Sequence, residues 1–359
     1  MNNDHYLHFL RYALNDDAPI PDDITRIDWQ KLKRFANEHA VVGIYWQGIR
    51  RLGQETPNKP TDDDVMAWMA LVTKIQRRNR FMDERTGFIA RTFRSEGFPN
   101  IILKGQGNAT YYPEPSLRTS GDVDIWLRGS RGDITRYVQH HCPKERPIYL
   151  HIAFKAVKDV EVEVHYMPSY LNNPFCNRRL QRFFQQQWDN QQADSRQPTA
   201  DGARYPTTRF NLVYQLCHIL HHVFDEGIGL RQLIDYYYLL LNATPADTDG
   251  LVRQLSSYNM LGFAQAVLWI EQHILGLPGQ CLFTTPDERR GRVLLADILH
   301  GGNFGKYNDD YQHASRRRIY PKRAWKKLCH SISLVRYFPS EALWEPLFRI
   351  WHFFWRLRH

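Results

Sequence analysis

The sequence predicts an α+β chain: a small α/β core with a mixed sheet, flanked by N-terminal and C-terminal helical regions. Two observations carry this. Apolar residues recur at three- and four-residue steps over 64–95 and again from Thr207 onward, the period of a helix with one buried face. Between these stretches the texture changes to short apolar runs punctuated by Pro and Gly, the pattern of short strands and turns. With 359 residues, 43% of them hydrophobic, the chain is long enough for two or three domains with substantial cores. The expected division is 1–97 helical, 98–170 α/β, 171–206 connection and 207–359 helical.

In chain order, Thr25 to Leu52 carries a helical pattern through Ile27, Trp29, Leu32, Phe35 and Ala36, and Gly53 to Pro60 is a connection. Val65, Trp68, Leu71, Val72, Ile75, Met82, Ile89 and Phe93 mark a long helix, which Thr61 or Asp62 can cap and Gly97 ends. Ile101-Ile102-Leu103, bounded by Pro99 and Gly105, reads as a buried strand. A short helix over Gln106 to Tyr112, a turn at Pro113 to Ser116 and a second strand at Asp122 to Leu127 follow. Gly132 to His141 reads as a helix, and Ile148 to Val157 with Val160 to Met167 as a hairpin turning at Lys158-Asp159. The Gln-, Asn- and Arg-rich residues Asn172 to Pro206 read as a partly helical connection, and helices follow over Phe210 to Val223, Leu230 to Leu241 and Leu251 to Leu275. The tail from Tyr337 to Arg358 is apolar around most of its wheel, which implies burial against the body or a partner.

No apolar stretch approaches the roughly 20 residues of a membrane span, and Asp4, His5, His8 and Arg11 interrupt the N-terminus, so a cytoplasmic protein is expected. Five scattered cysteines without a C-x-x-C pair argue against a disulfide framework and a thiolate zinc site. The net charge of +9 favours polyanions without choosing among nucleotides, nucleic acid and acidic proteins.

The chemistry lies in Leu103-Lys104-Gly105 and in Arg118-Thr119-Ser120-Gly121-Asp122-Val123-Asp124. Alternate residues of a strand share a face, so Asp122 and Asp124 project together, roughly 7 Å apart. Neighbouring anions repel, and a divalent cation removes the repulsion by ligating both; oxygen ligands suit Mg²⁺, or Mn²⁺. Two-ion phosphoryl transfer needs a third carboxylate, and the alternating Val160 to His165 segment sets Glu161, Glu163 and His165 on one face. Gly105, before a helix, lets backbone approach a triphosphate, and Lys104 adds a charge.

This pattern resembles the nucleotidyltransferases of the DNA polymerase β superfamily, and more closely an uncharacterised bacterial nucleotidyltransferase-like family. In that family the turn reads Lys-Gly, the carboxylate strand reads Arg-x-x-Gly-Asp-x-Asp, and a Glu-x-His follows. Lys104-Gly105, Tyr112-Pro113, Arg118, Gly121-Asp122-Val123-Asp124 and Glu163-Val164-His165 match it, and the likeness extends to Gly227 to Gln232. The resemblance implies that Asp122, Asp124 and Glu163 are the catalytic metal ligands. It also implies that Lys104 and Gly105 hold the phosphates of an NTP, ATP foremost. The superfamily turn usually has a small hydroxyl residue after its glycine; Gln106 stands there and can donate through its amide. Ser120 and Gly121 beside the carboxylate strand, with Arg231 and Gln232 facing an interdomain cleft, complete the expected nucleotide contacts.

Other readings stand beside these. Arg118 either grips phosphate or pairs with Asp122 or Asp124, and Arg231 with Asp235 fits an i, i+4 helix pair. His218 and His222 share a helix face that lacks further zinc ligands, and Gly301 to Tyr307 reads as a turn without the P-loop ending. For function, the expectation is transfer of NMP to an unidentified small molecule or protein with release of pyrophosphate. The alternatives are a catalytically silent nucleotide- or partner-binding module and an RNA-directed transferase, the last unsupported by any aromatic RNA-binding signature.

Overall fold

The computed structural model describes residues 3–193, 202–225, 227–301 and 329–358. The glycine-rich stretch at 302–307 lies outside them. The fold is mixed, a four-stranded sheet among many helices. Among the described residues no helix is long and apolar enough to cross a membrane.

Three helices open the chain: α1 (Asp4–Leu14), α2 (Trp29–Glu38) and α3 (Val42–Arg51). The single pattern read over Thr25 to Leu52 is broken because Ala40 takes φ 57°, the left-handed region that stops a helix. Helix α4 (Asp62–Ser95) begins at a capping box in which the Thr61 hydroxyl accepts from the Asp64 N–H and the Asp64 carboxylate reaches back to the Thr61 backbone.

Strand β1 (Asn100–Ile102), the one-turn α5 (Gln106–Ala109), strand β2 (Val123–Leu127), helix α6 (Arg131–His141) and strands β3 (His151–Ala153) and β4 (Val162–His165) follow in the predicted order. The sheet runs β1-β2-β4-β3; β1 and β3 lie antiparallel to their neighbours, and β2 and β4 lie parallel. Period-two alternation divides it into two faces. Val123, Ile125 and Leu127 of β2 with Val162 and Val164 of β4 pack against Met82, Ile89 and Phe93 of α4 and Ile134 and Val138 of α6. Asp124 and Trp126 point the other way, where Trp126 meets Trp188 at 4.7 Å and Phe210 at 6.1 Å between ring centroids.

Those two rings come from helices beyond the sheet. The described part of the Asn172 to Pro206 stretch carries a helix, α7 (Pro174–Ala193), which buries Leu180, Phe183, Phe184 and Trp188. Helices α8 (Thr208–Asp225) and α9 (Leu230–Leu241) follow, and Tyr214, Leu216, Leu233 and Tyr236 share one apolar cluster with Phe9, Leu32 and Tyr45 of the N-terminal helices. The pattern over Leu251 to Leu275 forms two helices, α11 (Leu251–Ser257) and α12 (Leu261–His273), after the single turn α10 (Pro245–Thr248); Asn259, at φ 56°, makes the break. Helix α13 (Glu288–Gly301) packs on α12. The C-terminal helix Pro339–Arg358 turns Phe348 toward Tyr149 and Tyr170, whereas Leu343, Leu347, Ile350 and Phe354 are exposed.

Glu271 of α12 is fully buried, neither carboxyl oxygen has a hydrogen-bond partner among the described residues, and burial raises its pKa well above the ordinary value of 4.5. A carboxyl whose folded-state pKa exceeds its unfolded one destabilises the fold increasingly as pH rises above the unfolded value. Glu271→Gln is therefore expected to raise the melting temperature at pH 8 by about 2–4 °C, with a smaller gain at pH 5. Equal melting temperatures of the two proteins at pH 8 would refute the burden assigned to this group.

Candidate active site

The turn from β1 into α5 and the strand pair β2-β4 build one polar centre. The Leu103 N–H donates to the Asp124 carbonyl at 2.9 Å, which brings Lys104 over β2. Gly105 takes φ 65° with ψ −114°, and a Cβ there would lie 3.4 Å from the Asp122 carbonyl oxygen. Only glycine turns the chain here without strain. The parallel register sets Asp124 opposite Glu163 and Trp126 opposite His165. Carboxylate oxygens of Asp122, Asp124 and Glu163 all come within 4.8 Å of one another.

Lys104 Nζ lies 3.1 Å from Asp124 Oδ2 and 3.9 Å from Asp122 Oδ2. Burial works against its charge, but the two aspartates outweigh that and raise its pKa. His165 Nε2 donates to Asp124 Oδ1 at 2.8 Å and stands 3.5 Å from Glu163 Oε2. Burial would lower the His165 pKa, but its bonds to Asp124 and Glu163 outweigh that and carry it to about 9, which favours the protonated ring. His151 of β3 reaches the same centre, 3.2 Å from Glu163 Oε2; burial and the neighbouring His165 push its pKa down to about 4, and it is neutral. Burial would raise the Glu163 pKa, yet its contacts with His165 and His151 leave it below the usual carboxylate value.

This donor set fits a divalent ion. Three carboxylates converge on a volume of oxygen-only ligation, and Asp124 Oδ2 is buried with the Lys104 ammonium, at 3.1 Å, as its counter-charge. His151, Glu163 and His165 form a second group with ligand atoms within 4.8 Å, but it needs His165 unprotonated. Glu161 is exposed, outside both groups.

The remaining candidates divide. Arg118 meets neither Asp122 nor Asp124: its Nε and Nη2 each donate at 2.7 Å to the carboxylate of Asp235 on α9. Tyr112 Oη (2.6 Å) and Asn108 Nδ2 (3.1 Å) donate to the same carboxylate, so Asp235 is committed to this buried network. Arg231 donates through Nη1 to the Thr119 carbonyl at 3.0 Å, and Asn79 Nδ2 of α4 donates to the carbonyls of Ser116 and Arg118 at 2.7 and 2.8 Å. The loop that delivers Asp122 is thus pinned from α4 and from α9. Gln106 is buried and its amide donates to Asp83 of α4. Gln232 accepts from the Gly229 N–H at the start of α9, and Ser120 is half-buried without lining a recess.

Two recesses meet at Lys104, Asp122 and His218. The smaller, about 20 Å³, is bounded by Gly105, Arg118, Gly121, Arg231 and Gln232. The larger, about 310 Å³, runs past Glu163 to Tyr149, Tyr170, His222 and the C-terminal helix.

A family model described as an uncharacterised nucleotidyltransferase matches residues 25–276, a span that contains every group named at the carboxylate centre. The chain belongs to this family. No curated protein and no solved structure matches it. The family span runs from just before α2 to the end of α12 and leaves the C-terminal helix outside.

His151 and the Asp235 network escape inspection of the sequence alone. His151 shows only through the hairpin register, which sets it opposite His165. The network joins residues more than 100 positions apart, with no local periodicity to announce it.

Proposed function

We propose that the chain transfers a nucleoside monophosphate from an NTP, ATP foremost, to a hydroxyl or other nucleophile with release of pyrophosphate. The observation that carries the reading is the strand register that pairs Asp124 with Glu163 and gathers both with Asp122 beside Lys104. Mg²⁺ or Mn²⁺ held by these three carboxylates would neutralise charge on the phosphates and activate the attacking oxygen. Lys104 has the reach and charge to move from the aspartates to a phosphate oxygen, and Gly105 admits the backbone to the same group. Arg118 Nη1 and Arg231 Nε, beside the smaller recess, are buried without hydrogen-bond partners among the described residues, donors suited to the triphosphate tail. His165 holds Asp124 in place and is a positioning residue.

A second reading, a silent nucleotide-binding module, draws on one observation: the Gln106 amide is engaged by Asp83 and does not face the site. One experiment separates the two. The protein is incubated with α-³²P-labelled ATP, GTP, CTP or UTP, Mg²⁺ or Mn²⁺ and cell extract, beside the Asp122→Asn/Asp124→Asn double variant. Label transferred by the parent and not by the variant is the expected result. Metal-dependent nucleotide binding without transfer from any NTP would favour the silent module.

A further inference from the structure

The larger recess has a wall that the family match does not include. The helix Pro339–Arg358 lies beyond residue 276 and closes the side opposite Lys104, Asp122 and Glu163 with Phe348, Arg349 and His352. Its seat is fixed: the Asn172 N–H donates to Glu341 at 2.7 Å, and Arg349 pairs with Asp225 at 3.2 Å.

We infer that this recess is the acceptor site, and that it takes a small hydroxylated ring compound carrying no negative charge, a sugar or a cyclitol. The inference rests on the nucleotidyl-transfer reading and specifies its substrate.

In-line transfer places nucleophile and leaving pyrophosphate on opposite sides of the reacting phosphorus. The two recesses share Lys104, Asp122 and His218. The smaller, lined by Arg118 and Arg231, has room for about one water, and the larger, which also reaches Glu163, is the one with room for a second substrate beside the carboxylates. The acceptor oxygen forms a bond to the α-phosphorus as the bond from that phosphorus to the bridging oxygen breaks. The hydroxyl proton is released and the electron pair departs on pyrophosphate.

Away from the carboxylate centre, whose charge a bound divalent ion would offset, Arg349 is bracketed by Asp225 and Glu345, so one cation faces two anions at the far wall of the larger recess. The recess also holds His218 and His222; burial, reinforced by Lys104, lowers both pKa values, that of His222 to about 3, so neither ring adds positive charge. At that wall the excess is negative, and a phosphoryl or carboxylate group seated against it would be repelled.

Tyr170 and Phe348 stack at 4.9 Å with 29° between ring planes, and Tyr149 sets its edge against both, at 5.1 and 5.5 Å. This gives a flat apolar wall for the face of a ring, and His352 Nε2, buried and without a hydrogen-bond partner among the described residues, lies beside it for a hydroxyl. A cavity of about 310 Å³ takes a molecule of one or two rings and not a macromolecule.

The test uses the full-length protein, α-³²P-ATP and Mn²⁺, with cell extract divided beforehand into macromolecules, anionic small molecules and non-anionic small molecules. Label is expected to enter products of the non-anionic pool only. Phe348→Ala, and His352→Ala should the first variant not fold, should lower transfer to that pool at subsaturating acceptor by about tenfold or more while the Kd for methylanthraniloyl-ATP with Mn²⁺ stays within about twofold. Label entering the anionic or macromolecular pool, or undiminished transfer by the folded variants, overturns the acceptor site and leaves nucleotidyl transfer standing. Absence of label from every pool overturns both.

Discussion

Asp122→Asn should lower metal-dependent transfer by about 10³-fold with little change in melting temperature. Its side chain is 30% exposed, and its ion-pair partner is Lys104 at 3.9 Å, so the folded state loses little when the charge is removed. Asp124→Asn should be equally inactive but also less stable. The Asp124 carboxylate is fully buried, and its loss would leave the partly buried Lys104 ammonium without its nearest counter-charge and the His165 ring without its acceptor. Comparing kcat with melting temperature across the two variants separates a ligand from a structural anion. An Asp122→Asn protein that retained more than about a tenth of parental transfer would remove this residue from the catalytic set and, with it, the assignment of the metal site.

How much of this was legible in the sequence varies with the range of the interaction. Asp122, Asp124 and Glu163 follow from period-two alternation within two short segments, and their convergence needs only that those strands be neighbours. The long helix α4 shows in its apolar steps and in Thr61. His151 does not show, because a hairpin closing symmetrically at Lys158-Asp159 would set it opposite Tyr166, whereas the real register sets it opposite His165. One residue of slip moves a side chain to the other face of the sheet. Arg118 was legible as a functional arginine in a loop but not as the partner of Asp235, since nothing local joins residues 118 and 235. The i, i+4 spacing of Arg231 and Asp235 suggests a helix pair, yet the Asp235 carboxylate is filled by Arg118, Tyr112 and Asn108 from the other side. Tertiary partners that offer more, and better aligned, hydrogen bonds override a pair worth a few tenths of a kcal/mol.

That network supports the second large expectation. Asp235→Ala should destabilise the protein by about 3–5 kcal/mol, because it leaves the Arg118 guanidinium buried and unpaired and removes the acceptor of Tyr112 and Asn108. Burial would raise the Asp235 pKa, but Arg118 outweighs it and holds the value below the unfolded 3.8. A depressed folded-state pKa gives stability that is fully present above 3.8 and is lost as pH falls below it. The deficit of Asp235→Ala should therefore be the same at pH 6 and pH 8, measured by urea denaturation, and shrink only in acid. The double variant Arg118→Leu/Asp235→Leu should be less destabilised than Asp235→Ala, since no charge is left uncompensated. Equal losses in single and double variants would mean that the pair contributes packing alone. The double variant also separates stability from catalysis: its loop lacks the anchor that fixes Arg118, four residues before Asp122, so transfer should stay depressed even where the fold is recovered.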